Sequence, residues 1–266
     1  MKIKILWLGL IVLLNYSSLS QSIFQWPEGK SMGLSFTWDD GRESQVLIGT
    51  PLLDHYGIKA TFYVLPSAVE KQLPLWKKAL QSGHEIANHS LTHPCSGNFL
   101  WSRKNALEDY SLQKLEENIV AANSKIQELL GVTMTAFAYP CGQSFVGSGE
   151  NTQSYVPIIA QNFNSGRTWL DESPNDPSYC DLSQITGMEM DGKSFKQILN
   201  LIKLARQNHS WLVLAGHDIG KTKTQTTDIK MLKRLFKYLK VDGQDIWTVP
   251  VKEISVYIKN QRKKST

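Results

Sequence analysis

Two adjacent carboxylates, Asp39 and Asp40, close the run Ser35-Phe36-Thr37-Trp38-Asp39-Asp40-Gly41. Like charges this close disfavour each other's ionisation unless a cation lies beside them, and a metal ion removes that cost. Successive side chains of a strand point to opposite sides, so one aspartate of the pair can ligate a metal while the other accepts a proton. An Asp-Asp-Gly surface turn has the same residues, and the pair alone reads as that. The next group changes the balance. In Asn88-His89-Ser90-Leu91-Thr92-His93-Pro94 the histidines stand at i and i+4, a spacing that puts both imidazoles on one side of a helical turn, within reach of one ion. One carboxylate and two imidazoles form a three-ligand set, which leaves coordination positions for water and substrate, as catalytic zinc sites do. His55, His84 and His209 have no partner at ligand spacing and read as packing or surface residues.

Two further segments offer groups for the same chemistry. The turn in Phe137-Ala138-Tyr139-Pro140-Cys141-Gly142 reads either as a tight loop or as a fixed backbone that aims an N–H into a site, as an oxyanion hole requires. Trp211-Leu212-Val213-Leu214-Ala215-Gly216-His217-Asp218 is an apolar run with a histidine just past its end, where an imidazole can serve as acid or base near neutral pH.

These groups need a scaffold, and the chain supplies alternating elements. Apolar and β-branched runs predict strands near Met32–Trp38, Ala60–Leu65, His84–Ala87, Thr135–Tyr139, Ile185–Glu189, Ser210–Ala215 and Ile246–Val249. Amphipathic runs between them predict helices over Val46–Tyr56, Leu73–Ser82, Leu112–Leu130, Phe195–Gln207 and Asp228–Leu239, three of them stopped by Gly57, Gly83 and Gly131. Strands separated by helices pair in parallel, either in a closed barrel or in an open doubly wound sheet. The polar stretches Ser96–Tyr110 and Gln143–Asn162 read as loops or short surface helices over one mouth of the scaffold.

Composition sets the outer bounds. The 266 residues, 41% hydrophobic and 20% charged, can bury a sizeable core and suit one large domain. A formal charge of +5 is too mild to imply nucleic acid, and the basic end Lys259–Lys264 reads as a solvated charge run. Residues 1–20 begin with Lys2 and Lys4, continue through an apolar stretch from Ile5 to Leu14, and place Ser18 and Ser20 before Gln21. That order predicts a signal peptide that is removed, leaving a domain over 21–266 that is secreted or held at the cell envelope. No later segment is apolar for long enough to span a bilayer, so no stable membrane insertion is expected after cleavage. Cys95, Cys141 and Cys180 are an odd number, and their spacing matches no structural zinc site.

The four chemical segments, in this order, resemble the polysaccharide deacetylase family with the NodB homology domain, carbohydrate esterase family 4. Thr37-Trp38-Asp39-Asp40-Gly41 is similar to its first motif, His89-Ser90-Leu91-Thr92-His93 to its second, Tyr139-Pro140-Cys141-Gly142 to its third and Leu212–His217 to its last. Gly57-Ile58-Lys59-Ala60-Thr61-Phe62 also resembles the family's lead into the second strand. The resemblance implies an α/β fold, a distorted (β/α)7 barrel, with a divalent metal usually taken to be zinc, and hydrolysis of acetyl groups from sugars. Carried over by residue, it implies Asp39 as general base, Asp40, His89 and His93 as metal ligands, and His217 as general acid. Tyr139, Pro140 and Cys141 then form the oxyanion and substrate loop, with the Cys141 N–H as donor. The chain departs from the family pattern at Ala138, where many members carry Arg, at Cys141, where many carry a large aromatic, and in lacking a clear Asp-Trp pair for the fourth motif. Arg167, in Gly166-Arg167-Thr168-Trp169, stands as a candidate replacement for the missing cation near Asp39, or as an ordinary surface arginine.

The expected function is removal of N-acetyl groups from a glycan. The same machinery also suits O-acetyl esters, as on xylan, and a decayed barrel that only binds carbohydrate is the reading from another class. The full set of Asp39, Asp40, His89, His93 and His217 argues against decay. Trp101, Trp169 and Trp211 read equally as cleft or packing residues. For the cysteines, three separate buried thiols are the expected state. A Cys95–Cys141 bridge is the alternative, because both residues border the same site.

Overall fold

The computed structural model describes residues 24–221 and 223–264. The expected signal peptide, residues 1–20, lies outside them. Eight parallel strands form the main sheet: β1 (Met32–Trp38), β2 (Thr61–Val64), β3 (Glu85–Asn88), β4 (Ala136–Ala138), β5 (Ser165–Arg167), β6 (Met188–Glu189), β7 (Trp211–Gly216) and β8 (Ile246–Thr248). Their order is β5-β4-β3-β2-β1-β7-β6, and β8 pairs with the start of β1. The two ends of that path meet through a parallel bridge between Arg167 and Ile185 and a bond from the Thr168 N–H to the Ile185 carbonyl. Seven strands thus surround one barrel, the distorted (β/α)7 architecture expected from the sequence.

The strands read as continuous apolar runs because both faces are covered. Leu34, Phe36 and Trp38 of β1, Phe62 and Val64 of β2, and Leu212 and Leu214 of β7 share one core with the helices α1 (Thr50–Tyr56), α3 (Leu73–Gln81), α6 (Phe195–Gln207) and α7 (Ile229–Val241). The opposite face carries Tyr63, Ala87, Ala136, Ala138, Trp211 and Val213, packed with Val251, Ile254 and Ile258 of the last helix, α8 (Val251–Lys264). The remaining helices are α2 (Pro66–Lys71), α4 (Leu112–Leu130) and α5 (Val156–Asn162).

Four sequence expectations change. The basic end is not only a charge run: it is the second half of α8, whose first half buries apolar residues at i, i+3 and i+7. The stretch Gln143–Asn162 is not wholly surface, since Ile158 and Ile159 of α5 are buried beside Phe137 and Tyr139. β5 was not expected at all, because Ser-Gly-Arg carries no apolar signal, yet all three residues are buried. The strand expected over Ile185–Glu189 is interrupted at Thr186–Gly187. A Cβ on Gly187 would lie 2.6 Å from the Thr168 carbonyl oxygen and 2.8 Å from Nη1 of Arg167, so glycine here makes room for that guanidinium. Trp211 is fully buried and belongs to the packing.

Candidate active site

Every chemical segment emerges at the carboxyl end of a barrel strand, where barrel proteins keep their sites. Several of these residues hold left-handed backbone that side chains rarely adopt: Asp40 (φ 72°), Ser90 (φ 67°), His93 (φ 51°), Cys141 (φ 54°) and Leu170 (φ 62°). Such strain persists where surrounding bonds over-determine the conformation, and it concentrates at functional sites.

The metal-ligand candidates meet. Donor atoms of Asp40, His89 and His93 all lie within 4.8 Å of one another. Oδ1 of Asp40 is 3.5 Å from Nε2 of each histidine, and its Oδ2 accepts a 2.9 Å bond from Nε of Arg42. The His89 tautomer follows from its neighbour. Nδ1 is 2.9 Å from the Ala138 carbonyl, which only accepts, so Nδ1 carries a proton and Nε2 is left facing Asp40. The histidines do not sit on a helical turn, as their spacing suggested. They occupy a loop after β3, tied by the Ser90 N–H to the Asn88 side chain (2.6 Å) and by the His93 N–H to the Ser90 hydroxyl (2.9 Å). Burial raises the Asp40 carboxyl, but the His89 hydrogen bond and the charges of His89, His93 and Arg42 outweigh it and hold the group well below the usual carboxylate range. Burial, with the charge of His89, pushes His93 down to about 4. Both effects favour an ionised Asp40 carboxylate and a neutral His93 imidazole, the forms that ligate a cation. The donor set of two imidazole nitrogens and one carboxylate oxygen therefore fits a divalent metal such as zinc, with positions left open.

Beside this cluster stand the two candidate proton carriers. Asp39 is buried at the end of β1, with Nη2 of Arg167 2.5 Å from both of its carboxylate oxygens. Arg167 is itself buried, donates through Nη1 to the Thr168 carbonyl, and lies over the Tyr63 ring at 5.0 Å. His217 follows β7, and its Nδ1 is 2.8 Å from Oδ2 of the buried Asp191. Asp191 also accepts bonds from the Thr227 hydroxyl (2.6 Å) and the His217 N–H (3.3 Å). Gly216 permits this approach, since a Cβ there would meet Thr227 and lie 2.7 Å from Oδ1 of Asp191. Burial opposes the charge on His217, but the Asp191 hydrogen bond and the charges of Asp39, Asp40 and Asp191 raise it above its ordinary value. His84, by contrast, is held away from the site by Asp54 and the Ala60 N–H, and burial pushes it down to about 4.

The turn after β4 adds Tyr139, Pro140 and Cys141. Tyr139 donates its hydroxyl to the Ser183 carbonyl at 2.7 Å, and Pro140 is buried. Cys141 is bonded to Cys95 with a Cα separation of 6.0 Å, so the expected separate thiols give way to the bridge. Burial and the closeness of two loops at one cleft mouth bring the sulfurs together although the two cysteines are 46 positions apart. Cys180 stays free, with Nη2 of Arg262 3.3 Å from its sulfur.

Asp39, Asp40, His89, His93, Cys141 and His217 together border a cleft of about 730 Å³, flanked by Trp101, Trp169 and Leu170. Three supporting residues escaped the sequence reading. Asp191 is a carboxylate followed by Gly just past a strand, the one cue to it. Arg42 follows Asp39-Asp40-Gly41 directly and also binds Asp218 at 2.9 Å. Gln45 donates from Nε2 to the carbonyls of both Asp39 (2.5 Å) and His217 (2.9 Å), which no local pattern announces.

A parallel (β/α)7 barrel with a carboxylate and imidazole cluster at its strand ends defines the class to which this protein is comparable. Residues 27–154 match the polysaccharide deacetylase family, so that part of the chain is similar to it. A peptidoglycan-N-acetylglucosamine deacetylase of Listeria monocytogenes is 28% identical over 143 residues, 53% of this chain and 28% of that protein. The chain thus spans under a third of the length of the first curated relatives it matches. In fold, a Mycobacterium smegmatis structure described as a polysaccharide deacetylase superposes with a TM-score of 0.64 at 16% identity, over 90% of this chain and 94% of the other. A family 4 acetyl xylan esterase from Clostridium thermocellum, in complex with a cobalt ion, gives 0.51 at 18% identity over 85% and 91%. The family match takes in Asp39, Asp40, His89, His93 and Cys141, whereas Arg167, Asp191 and His217 lie beyond it.

Proposed function

We propose that this protein is a secreted or envelope-held, divalent-metal-dependent hydrolase that removes N-acetyl groups from the sugars of a polysaccharide. One observation carries the reading: a candidate base, Asp39, and a candidate acid, His217, flank the ligand cluster of Asp40, His89 and His93. Gln45 ties both of their backbones together. A binding module has no use for two proton carriers beside three ligands.

Asp39 takes a proton from the attacking water, and Arg167 fixes the carboxylate for that task. The Cys141 N–H donates to the carbonyl oxygen as negative charge develops there. His217, oriented through Nδ1 by Asp191, gives a proton from Nε2 to the departing amine nitrogen, so the C–N bond breaks to release acetate and the free amino sugar. A divalent cation held by Asp40, His89 and His93, zinc by the donor set, supplies Lewis-acid activation when bound. The name of the Listeria relative supports an N-acetylglucosamine substrate, and that of the Clostridium neighbour supports the alternative of acetyl xylan.

The test is acetate release from N-acetylglucosamine oligomers and from acetylated xylan, with and without a chelator. We expect release from the oligomers, lost with chelator and restored by zinc. Asp40→Ala, His89→Ala and His93→Ala are each expected to lose bound metal by elemental analysis. Full metal occupancy in two of the three would overturn the ligand assignment, and release from xylan alone would replace the amide reading with the ester one.

A further inference from the structure

The candidate ligand His93 faces two ways. Its Nε2 lies 3.5 Å from Oδ1 of Asp40, and its Nδ1 lies 3.6 Å from Sγ of Cys95. Beyond Nδ1 the bridged sulfurs complete a second cluster: the donor atoms of His93, Cys95 and Cys141 all lie within 4.8 Å of one another, as those of Asp40, His89 and His93 do. One imidazole is thus common to a set of oxygen and nitrogen donors on one side and to a set of nitrogen and sulfur donors on the other. While the bridge stands the sulfur set cannot hold an ion, because the ligand is the thiolate and a disulfide has none to give.

Opening the bridge changes the donors without rebuilding the loops. Bonds of about 2.3 Å to sulfur and about 2.0 Å to nitrogen set S and N about 3.5 Å apart across a tetrahedral zinc ion, close to the separation His93 and Cys95 already have. Two sulfurs on the same ion stand about 3.8 Å apart, a distance that side-chain rotation supplies from Cα atoms separated by 6.0 Å. Each cysteine has anchors that do not depend on the other. The Cys95 N–H donates to the Ser102 hydroxyl (3.0 Å), the Leu107 N–H donates to the Cys95 carbonyl (3.0 Å), and the turn around Cys141 is closed by the Gly142 N–H on the Tyr139 carbonyl (2.8 Å). Cys95 is buried, but Cys141 is half-buried and borders the cleft, which exposes its sulfur to a reductant.

We propose that reduction of the Cys95–Cys141 bridge creates a second metal site, made of both sulfurs and Nδ1 of His93, which draws the ion away from Asp40 and His89 and switches the protein off. A dithiol supplies the two electrons: the S–S bond breaks, each cysteine sulfur gains a proton, and the dithiol closes to its own disulfide. The incoming divalent ion then displaces both protons. A neutral imidazole has one lone pair and one N–H, so once Nδ1 ligates, Nε2 carries the proton and His93 is lost to the first cluster. Two thiolates and an imidazole are also the softer set, and they favour zinc over a carboxylate and two imidazoles. A reducing compartment would therefore hold the protein in the sulfur-ligated form, and an oxidising one would release it. The sulfur site is tested by binding alone, whereas the loss of activity rests on the function proposed above.

The experiment loads cobalt(II), a spectroscopic substitute for zinc, into the full chain with the bridge intact and after reduction by a phosphine that is then removed under nitrogen. Reduced protein should bind one ion per chain with sulfur-to-cobalt charge-transfer bands in the near ultraviolet, and oxidised protein one ion without them. Zinc should be held at least about tenfold more tightly by the reduced form. Two variants separate the sites. His89→Ala breaks only the first cluster, so its oxidised form should bind little cobalt while its reduced form shows the bands at wild-type strength. Cys95→Ser/Cys141→Ser keeps Cys180 but has neither bridge nor sulfur pair, and should give no bands under either treatment. With one equivalent of zinc, acetate release by the wild type should be lost on reduction and return on reoxidation with diamide, and the double serine variant should respond to neither reagent. Bands absent from the reduced wild type, or present in the double serine variant, would overturn the site, and two tightly held ions per reduced chain would overturn the sharing of His93. A reduced, cobalt-loaded chain without a cooperative melt would mean that the sulfurs bind only after unfolding, which overturns the site as well. Bands in the reduced form with no acetate release in either state would support the sulfur site and sink the proposed function instead.

Discussion

Arg167 reaches Asp39 from the strand position paired with Ala138: Ala138 of β4 and Arg167 of β5 are register partners, and the guanidinium bonds both oxygens of the carboxylate. The family pattern read from the sequence has an arginine at position 138. Here the cation enters from the adjacent strand instead, and the small Ala138 is part of the packed interior.

Arg167→Ala is expected to strip Asp39 of its only ion-pair partner among the described residues. Breaking a buried pair on one side costs about 3–5 kcal/mol, so a clear fall in thermal midpoint should accompany a rate loss of about 100-fold. Adding Ala138→Arg to that variant should restore part of both, since the new side chain starts from the position where the family pattern has its arginine. Undiminished acetate release by Arg167→Ala would remove Arg167 from the site.

Much of this arrangement was legible, and the rest was hidden for physical reasons. β1 spans Met32–Trp38, α4 ends before Gly131 and α6 spans Phe195–Gln207, as read. The candidate ligands were visible because Asp40, His89 and His93 sit in short local patterns. β5 was invisible because a strand whose purpose is to aim a buried Arg167 carries no apolar run. Asp191 and Gln45 were missed because their roles depend on partners 26 and 172 residues away, and only folding brings those together. The Cys95–Cys141 bridge has the same character: two loops from different strands meet at one cleft mouth.

The Asp191–His217 pair makes a prediction about pH. The folded chain holds His217 above its ordinary value of 6.5 through the Asp191 bond and the nearby carboxylate charges, despite burial. A raised value means the protonated acid persists past 6.5 and is lost only as pH rises through the folded value. The alkaline limb of kcat/KM should therefore lie above that of free imidazole. Asp191→Asn keeps the shape and removes the charge, so the limb should move to lower pH by about one pH unit or more. An alkaline limb that stays in place in Asp191→Asn would mean that another group supplies the proton.

The disulfide should matter to stability more than to the chemistry. Bridging residues 46 apart restricts the unfolded chain by about 4 kcal/mol on the chain-entropy account. Cys95→Ser/Cys141→Ser should melt several degrees below the wild type, and reductant should lower the wild type toward the same midpoint. Non-reducing peptide mapping should show a Cys95–Cys141 linked peptide and alkylation of Cys180 alone. Alkylation of all three cysteines without reductant would return the cysteines to separate thiols.

Gln45 gives the sharpest test of how the two candidate proton carriers are held apart. It is fully buried in a short π-helical turn over Gln45–Gly49, and its single amide nitrogen donates to the carbonyls that follow from β1 and β7. π-Helical turns of this kind recur at functional sites. Gln45→Ala leaves two buried carbonyls without a donor, at about 1–3 kcal/mol, and frees the ends of the strands that carry Asp39 and His217. Because small misplacements of paired groups cost rate, we expect kcat to fall about 10-fold or more while KM changes little. Gln45→Glu sharpens the point, since an ionised carboxylate facing two carbonyl oxygens is repelled and its protonated form is favoured in the folded chain. Its stability contribution is then present at acid pH and lost as pH rises, so the variant should melt closer to wild type near about pH 5 than near about pH 8. A Gln45→Ala protein that matches the wild type in kcat would show that Asp39 and His217 keep their separation without this bridge.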